Sequence, residues 1–149
     1  MSNTSKRGTG MIKMDTSVAP PKKKILIVDD DESMVKAMIR FLRLDGRFDI
    51  DYAYDGIQAG EKFIQQQPDL VILDLRMPRV NGFQLCKAIK NDNLAKGVKV
   101  LIVSGVIDYE HPENIARLQA DGILAKPFDN QQLKRKIDEL LKPSGSTAK

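Results

Sequence analysis

Four short stretches of this 149-residue chain carry residues able to hold a divalent cation and handle phosphate: Asp29-Asp30-Asp31, Asp74, Ser104-Gly105 and Lys126-Pro127. Carboxylates crowded together repel and raise one another's pKa values unless a cation neutralises them. Oxygen ligands with no His or Cys nearby favour a hard ion, Mg2+ above all, which keeps some of its waters and commonly binds a substrate phosphate as well. The ammonium of Lys126 can offset charge on phosphoryl oxygens, while the Ser104 hydroxyl and the amides near Gly105 can donate hydrogen bonds to them. In that set Asp74 is the natural nucleophile.

Each residue also has a plainer reading. Asp29 to Asp31 suit the start of a helix, where Asp caps free amides and meets the positive end of the helix dipole. Capping is the better reading for Asp31. Three acids directly behind an apolar run exceed what a cap needs, so Asp29 and Asp30 read as metal ligands. Taken singly, Asp74 passes for a loop acid, Lys126 for a surface charge and Ser104 for a turn residue. Their joint placement at successive strand ends carries the functional reading. His111, beside Pro112, reads as an exposed turn residue rather than a general base, and Cys86, the one cysteine, as a small core residue.

Positioning these residues falls to a strict alternation of strands and helices. Ile25-Leu26-Ile27-Val28 is a short β-branched run, read as a strand buried on both faces. Met34, Val35, Met38, Ile39 and Leu42 recur at helical spacing, and Gly46 is placed to end that helix. Strands follow over 48–53, 70–73, 98–103 and 123–125, and helices over 57–66, 83–90, 112–119 and 129–141. Five buried strands with crossover helices imply an α/β, doubly wound five-stranded parallel sheet with five helices. Such sheets place ligands beyond the carboxyl ends of their strands, where all four stretches fall.

Composition sets the limits. The hydrophobic share of 42% and charged share of 30% are ordinary for a soluble domain, and no apolar run approaches the roughly 20 residues of a membrane span. No secretory signal is read at the start, so a cytoplasmic setting is expected. The net charge of +4 is uneven. Lys6, Arg7, Lys13, Lys22, Lys23 and Lys24 against Asp15 give the first 24 residues +5, leaving −1 for the rest. The folded part therefore carries no basic signature of nucleic-acid binding. Residues 1–23 are expected to form a flexible basic tail, 24–141 the folded domain and 142–149 a disordered tail.

Set in order, Ile25-Leu26-Ile27-Val28-Asp29-Asp30-Asp31, Leu70-Val71-Ile72-Leu73-Asp74-Leu75-Arg76-Met77-Pro78 with Asn81-Gly82, Ser104-Gly105 and Lys126-Pro127-Phe128 closely resemble the receiver-domain family of two-component response regulators. The resemblance covers about residues 24–141. It implies a flavodoxin-like sheet of strand order 2-1-3-4-5. It further implies Mg2+, or Mn2+ as a substitute, held by Asp29, Asp30, Asp74 and the backbone carbonyl of Arg76. Asp74 is then the phosphoacceptor, Ser104 the switch hydroxyl, and Lys126 the conserved-type lysine, joined to Pro127 by a cis peptide. The implied phosphodonor is a sensor histidine kinase or a histidine phosphotransfer protein. The implied output is a homodimer or downstream effector engaged through the face of the fourth helix, fifth strand and fifth helix, with no membrane contact and no direct nucleic-acid binding. The domain is expected to be a signalling module that assists its own phosphorylation and slow autodephosphorylation, not an enzyme acting on a separate substrate.

Two departures bear on these expectations. Ile123 stands where many relatives carry an aromatic or His that turns inward with the switch hydroxyl, which predicts a smaller or relocated response. Arg76 and Val106 occupy the two positions that influence phosphoryl lifetime, and neither suits activation of a water, so slow hydrolysis is expected. A rival reading is a phosphohydrolase of the haloacid-dehalogenase kind, but Asp29-Asp30-Asp31-Glu32-Ser33 lacks its usual spacing and the chain has no cap insertion. A second rival is a phosphate-independent binding module, against which the full set of acids, hydroxyl and lysine argues.

Overall fold

The computed structural model describes residues 21–77, 80–91, 97–105, 113 and 116–142. His111, Val106, residues 112, 114 and 115 of the expected 112–119 helix and nearly all of both expected tails lie outside the described residues.

Five parallel strands form the central sheet: β1 (Lys23–Val28), β2 (Phe48–Ala53), β3 (Leu70–Leu73), β6 (Lys99–Ser104) and β7 (Gly122–Ala125). Their order is β2-β1-β3-β6-β7, the 2-1-3-4-5 winding of the sequence reading once the sheet's own strands are counted. A two-stranded antiparallel hairpin, β4 (Arg76–Met77) and β5 (Val80–Asn81), adds a feature that the alternation did not predict. The helices are α1 (Glu32–Asp45), α2 (Gly56–Gln66), α3 (Gly82–Asn91) and α4 (Asn130–Leu140). A further helical turn includes Glu113 and Ala116, but Arg117, Leu118 and Gln119 form a turn, with Gln119 left-handed at φ 58°, so the helix expected over 112–119 stops short of its expected end.

Alternation along the strands divides the core in two. Ile25 and Ile27 of β1 join Ile72, Leu101 and Val103 beneath α1 and α4. Leu26 and Val28 join Val71, Leu73, Val100 and Ile102 beneath α2 and α3. A strand buried on both faces has no polar side to offer, which is why these segments read as continuous apolar runs. Cys86 is fully buried in the second layer, where desolvation pushes its thiol up to about 11; it is a core residue, as expected.

Helix ends follow local chemistry. The Asp31 side chain accepts from the Met34 N–H at 3.1 Å, capping α1. Val35, Met38, Ile39 and Leu42 turn the helix inward, and Gly46 ends it at φ 79°, a left-handed conformation that costs glycine little. Asp55 and Asp129 cap α2 and α4 in the same way, and Gln132 completes a capping box at α4.

Candidate functional site

Two ladder hydrogen bonds set the first pair of site residues side by side. Past the end of β1, the Asp29 N–H donates to the Ala53 carbonyl at 3.2 Å; past the end of β3, the Asp74 N–H donates to the Val28 carbonyl at 3.0 Å. Adjacent parallel strands thus deliver Asp29 and Asp74 to the same sheet edge, and both are buried, at 2% and 6% exposed. Asp30, the next residue on the β1 loop, is exposed. Carboxylate oxygens of Asp29, Asp30 and Asp74 lie within 4.8 Å of one another.

Lys126 arrives from the other side of the sheet. The last residue of β6, Ser104, pairs with Ala125, and its carbonyl accepts from the Lys126 N–H at 3.0 Å. The Lys126–Pro127 peptide is cis, as the resemblance implied. The Lys126 ammonium reaches Asp29 Oδ2 at 2.9 Å and Asp74 Oδ2 at 3.2 Å. Ser104 itself is fully buried and is joined to the site through its backbone.

The remaining carboxylate oxygens take backbone donors. Asp29 Oδ1 accepts from the Asp31 N–H at 3.0 Å and Asp74 Oδ1 from the Arg76 N–H at 3.1 Å. Asp31 therefore serves both the helix and the site. Burial is the largest influence on Asp29 and raises its pKa. The Asp31 amide and Lys126 oppose that rise, while the charge of Asp74 adds to it. Burial pulls Lys126 the other way, but contact with Asp29 and then the Asp74 charge prevail and hold its pKa above the ordinary lysine value.

The donor set fits a hard divalent ion. Three carboxylates facing one ammonium leave an excess of negative charge, and every side-chain donor is oxygen. Arg76 lies on β4 with its side chain exposed.

Gly82 is a positioning residue that sequence reasoning quoted without assigning it a task. A Cβ there would lie 2.6 Å from Leu75 Cα, 2.7 Å from the Leu75 carbonyl oxygen and 2.9 Å from that of Asp74. The start of α3 thus rests directly on the acceptor loop, an approach only glycine permits. Its signal was Asn81-Gly82 shortly after Asp74, legible as a turn but not as a contact.

Comparison with known proteins agrees with this geometry. A family model described as "Response regulator receiver domain" matches residues 25–138. The chain is 34% identical over 137 residues to the transcriptional regulatory protein PrrA of Mycobacterium tuberculosis, covering 91% of this chain and 56% of that protein. It is 32% identical over 123 residues to the alkaline phosphatase synthesis transcriptional regulatory protein PhoP of Bacillus subtilis, covering 82% and 50%. The chain thus spans about half the length of the curated relatives it matches. Among solved structures, a response regulator signal receiver domain from Bermanella marisrubri is 34% identical with a TM-score of 0.73, covering 82% of this chain and all of that one. The chemotaxis response regulator CheY4 of Vibrio cholerae is 27% identical with a TM-score of 0.74, covering 81% of this chain and 100% of that one. The phosphohydrolase reading is thereby set aside: the chain belongs to the response regulator receiver domain family.

Proposed function

We propose that this domain accepts a phosphoryl group on Asp74 from a phosphohistidine of a sensor histidine kinase or histidine phosphotransfer protein, in a Mg2+-dependent step, and signals through the resulting change in its surface. The observation that carries the reading is the bridging of two buried carboxylates, Asp29 and Asp74, by one ammonium, Lys126, at 2.9 and 3.2 Å. Asp30, at the solvent side of the same cluster, supplies a further oxygen ligand.

Asp29, Asp30 and Asp74, with the Arg76 backbone carbonyl, are the residues that would hold the ion; when bound it offsets charge on the phosphoryl oxygens, as Mn2+ also can. A carboxylate oxygen of Asp74 attacks phosphorus in line with the leaving imidazole. The O–P bond forms as the P–N bond breaks, and the imidazole leaves neutral after taking a proton. Lys126, already beside Asp74, stabilises the oxygens that carry the developing charge. The phosphoryl group then presents new acceptor oxygens, and the Ser104 hydroxyl moves toward them, biasing an existing equilibrium between two arrangements of the face that includes β7 and α4.

Regulation of a partner through that face, as a homodimer or with a downstream effector, requires no nucleic-acid contact by the receiver. Relatives of about twice the matched length that are named transcriptional regulators support a regulatory output. Among the described residues no helix is long and apolar enough to cross a membrane, and we place the domain in the cytoplasm with its phosphodonor. We also place its boundaries near 24 and 141, with tails on either side. Slow autodephosphorylation belongs to the same reading.

The deciding experiment incubates the chain with acetyl phosphate and Mg2+ and follows intact mass. Wild type gains one acid-stable, base-labile phosphoryl group, and Asp74→Ala gains none. No adduct on folded wild type would overturn the proposal.

A further inference from the structure

The sheet has two edges, and they are managed differently. At one end β7 spans only Gly122–Ala125. At the other, β2 runs six residues, Phe48–Ala53, long enough to template another strand. The Lys23 N–H donates to the Arg47 carbonyl and the Asp29 N–H to the Ala53 carbonyl, so residues 47 and 53 turn their backbone groups toward β1. Alternation then turns the N–H and C=O groups of Phe48, Ile50 and Tyr52 outward, along the free edge.

At Tyr52 both outward groups are taken by side chains. Its N–H donates to Asp51 Oδ1 at 2.7 Å, and its carbonyl accepts from Lys62 Nζ at 2.6 Å. The same ammonium pairs with Asp51 Oδ1 at 2.9 Å and sits 4.7 Å above the centre of the Tyr52 ring. Gln66 donates to the other Asp51 oxygen, so two residues of α2 hold the arrangement in place. Its opposite end also carries a cation, with the Arg47 guanidinium 4.8 Å from the centre of the Phe48 ring. Among the described residues, Phe48 and Ile50 keep their outward backbone pairs, a run of two bounded by Arg47 at one end and by the Asp51–Lys62 pair at the other.

We propose that Asp51 and Lys62 form a clasp that closes the β2 edge against a second copy of this chain, so that any self-association of the domain must use another face. None of these residues belongs to the phosphoacceptor cluster. The inference therefore stands apart from the proposed chemistry. It follows from the physics of a free strand: an unpaired N–H and C=O row recruits another strand unless its groups are occupied or charge is placed beside them.

The full chain tests this by sedimentation velocity over a concentration series together with residue-resolved amide exchange. In wild type the Tyr52 amide should exchange more slowly than the Ile50 amide by about tenfold, the size of one hydrogen bond's net contribution. The Asp51→Ala, Lys62→Met double variant should lose that difference and self-associate more tightly, with Ile50 and Tyr52 protected in the associated form. Lys62→Arg, which keeps the charge and the donors, should behave as wild type. Equal exchange of the two amides in wild type would overturn the clasp even if the double variant fails to fold. A folded double variant with unchanged association would overturn its protective role, as would a wild-type dimer that protects Ile50.

Discussion

Gly82 and Leu75 meet backbone to backbone: a methyl group on Gly82 would fall 2.6 Å from Leu75 Cα, inside any tolerated contact. Two elements must separate to admit it, and one of them carries Asp74. Gly82→Ala should therefore destabilise the domain by roughly 1–3 kcal/mol, the usual cost of overpacking. It should also slow phosphorylation of Asp74 by acetyl phosphate. Urea unfolding and the labelling rate, measured together, check both effects; a variant that folds and labels as wild type would show that the α3 start does not support the acceptor loop.

Burial raises the Asp29 pKa above its unfolded value, so between those two values the folded state binds the extra proton. Folding then loses stability as pH rises through that window, and at neutral pH the ionised carboxylate is a cost in the absence of divalent ions. Asp29→Asn should accordingly be more stable than wild type in EDTA at neutral pH. The advantage should shrink toward zero as pH falls below the ordinary aspartate value, about 4. Denaturant melts along a pH series measure it, and a variant less stable than wild type at neutral pH would contradict the sign.

Arg76 donates its backbone N–H to Asp74 Oδ1 at 3.1 Å and is itself exposed. A guanidinium there can shield a phosphoryl group but is poorly suited to activate a water against it. Arg76→Asn should shorten the lifetime of the phosphorylated state by several-fold, read from the decay of the intact-mass adduct after the donor is removed. An unchanged decay rate would count against shielding.

Ile123 on β7 is partly buried and packs against the layer beneath α2 and α3. An aliphatic chain fills space but brings no hydroxyl or ring edge to a switch. Chemical-shift changes on the β7 and α4 face upon binding of a phosphoryl mimic should be smaller than in receivers with an aromatic at this position. They should grow in Ile123→Tyr. Shifts in wild type as large as in aromatic-bearing receivers would refute this.

Much of this molecule is legible along the chain, because the forces that write secondary structure act locally. The runs at 25–28, 48–53 and 70–73 mark strands through their apolar and β-branched residues, and Asp31, Gly46 and Asp129 mark helix ends through backbone groups a few residues away. The alternation of those elements determined the doubly wound sheet, and its strand ends named the acids, the serine and the lysine. Tertiary structure alone decided which of them touch. Lys126 and Asp29 are 97 residues apart and meet because β1, β3, β6 and β7 pair in one particular register. Likewise, the seat of Gly82 on Leu75 depends on where α3 packs, not on any local pattern. Periodicity records how a segment faces its core; contacts between distant segments arise from how whole elements stack, and only the folded chain contains that information.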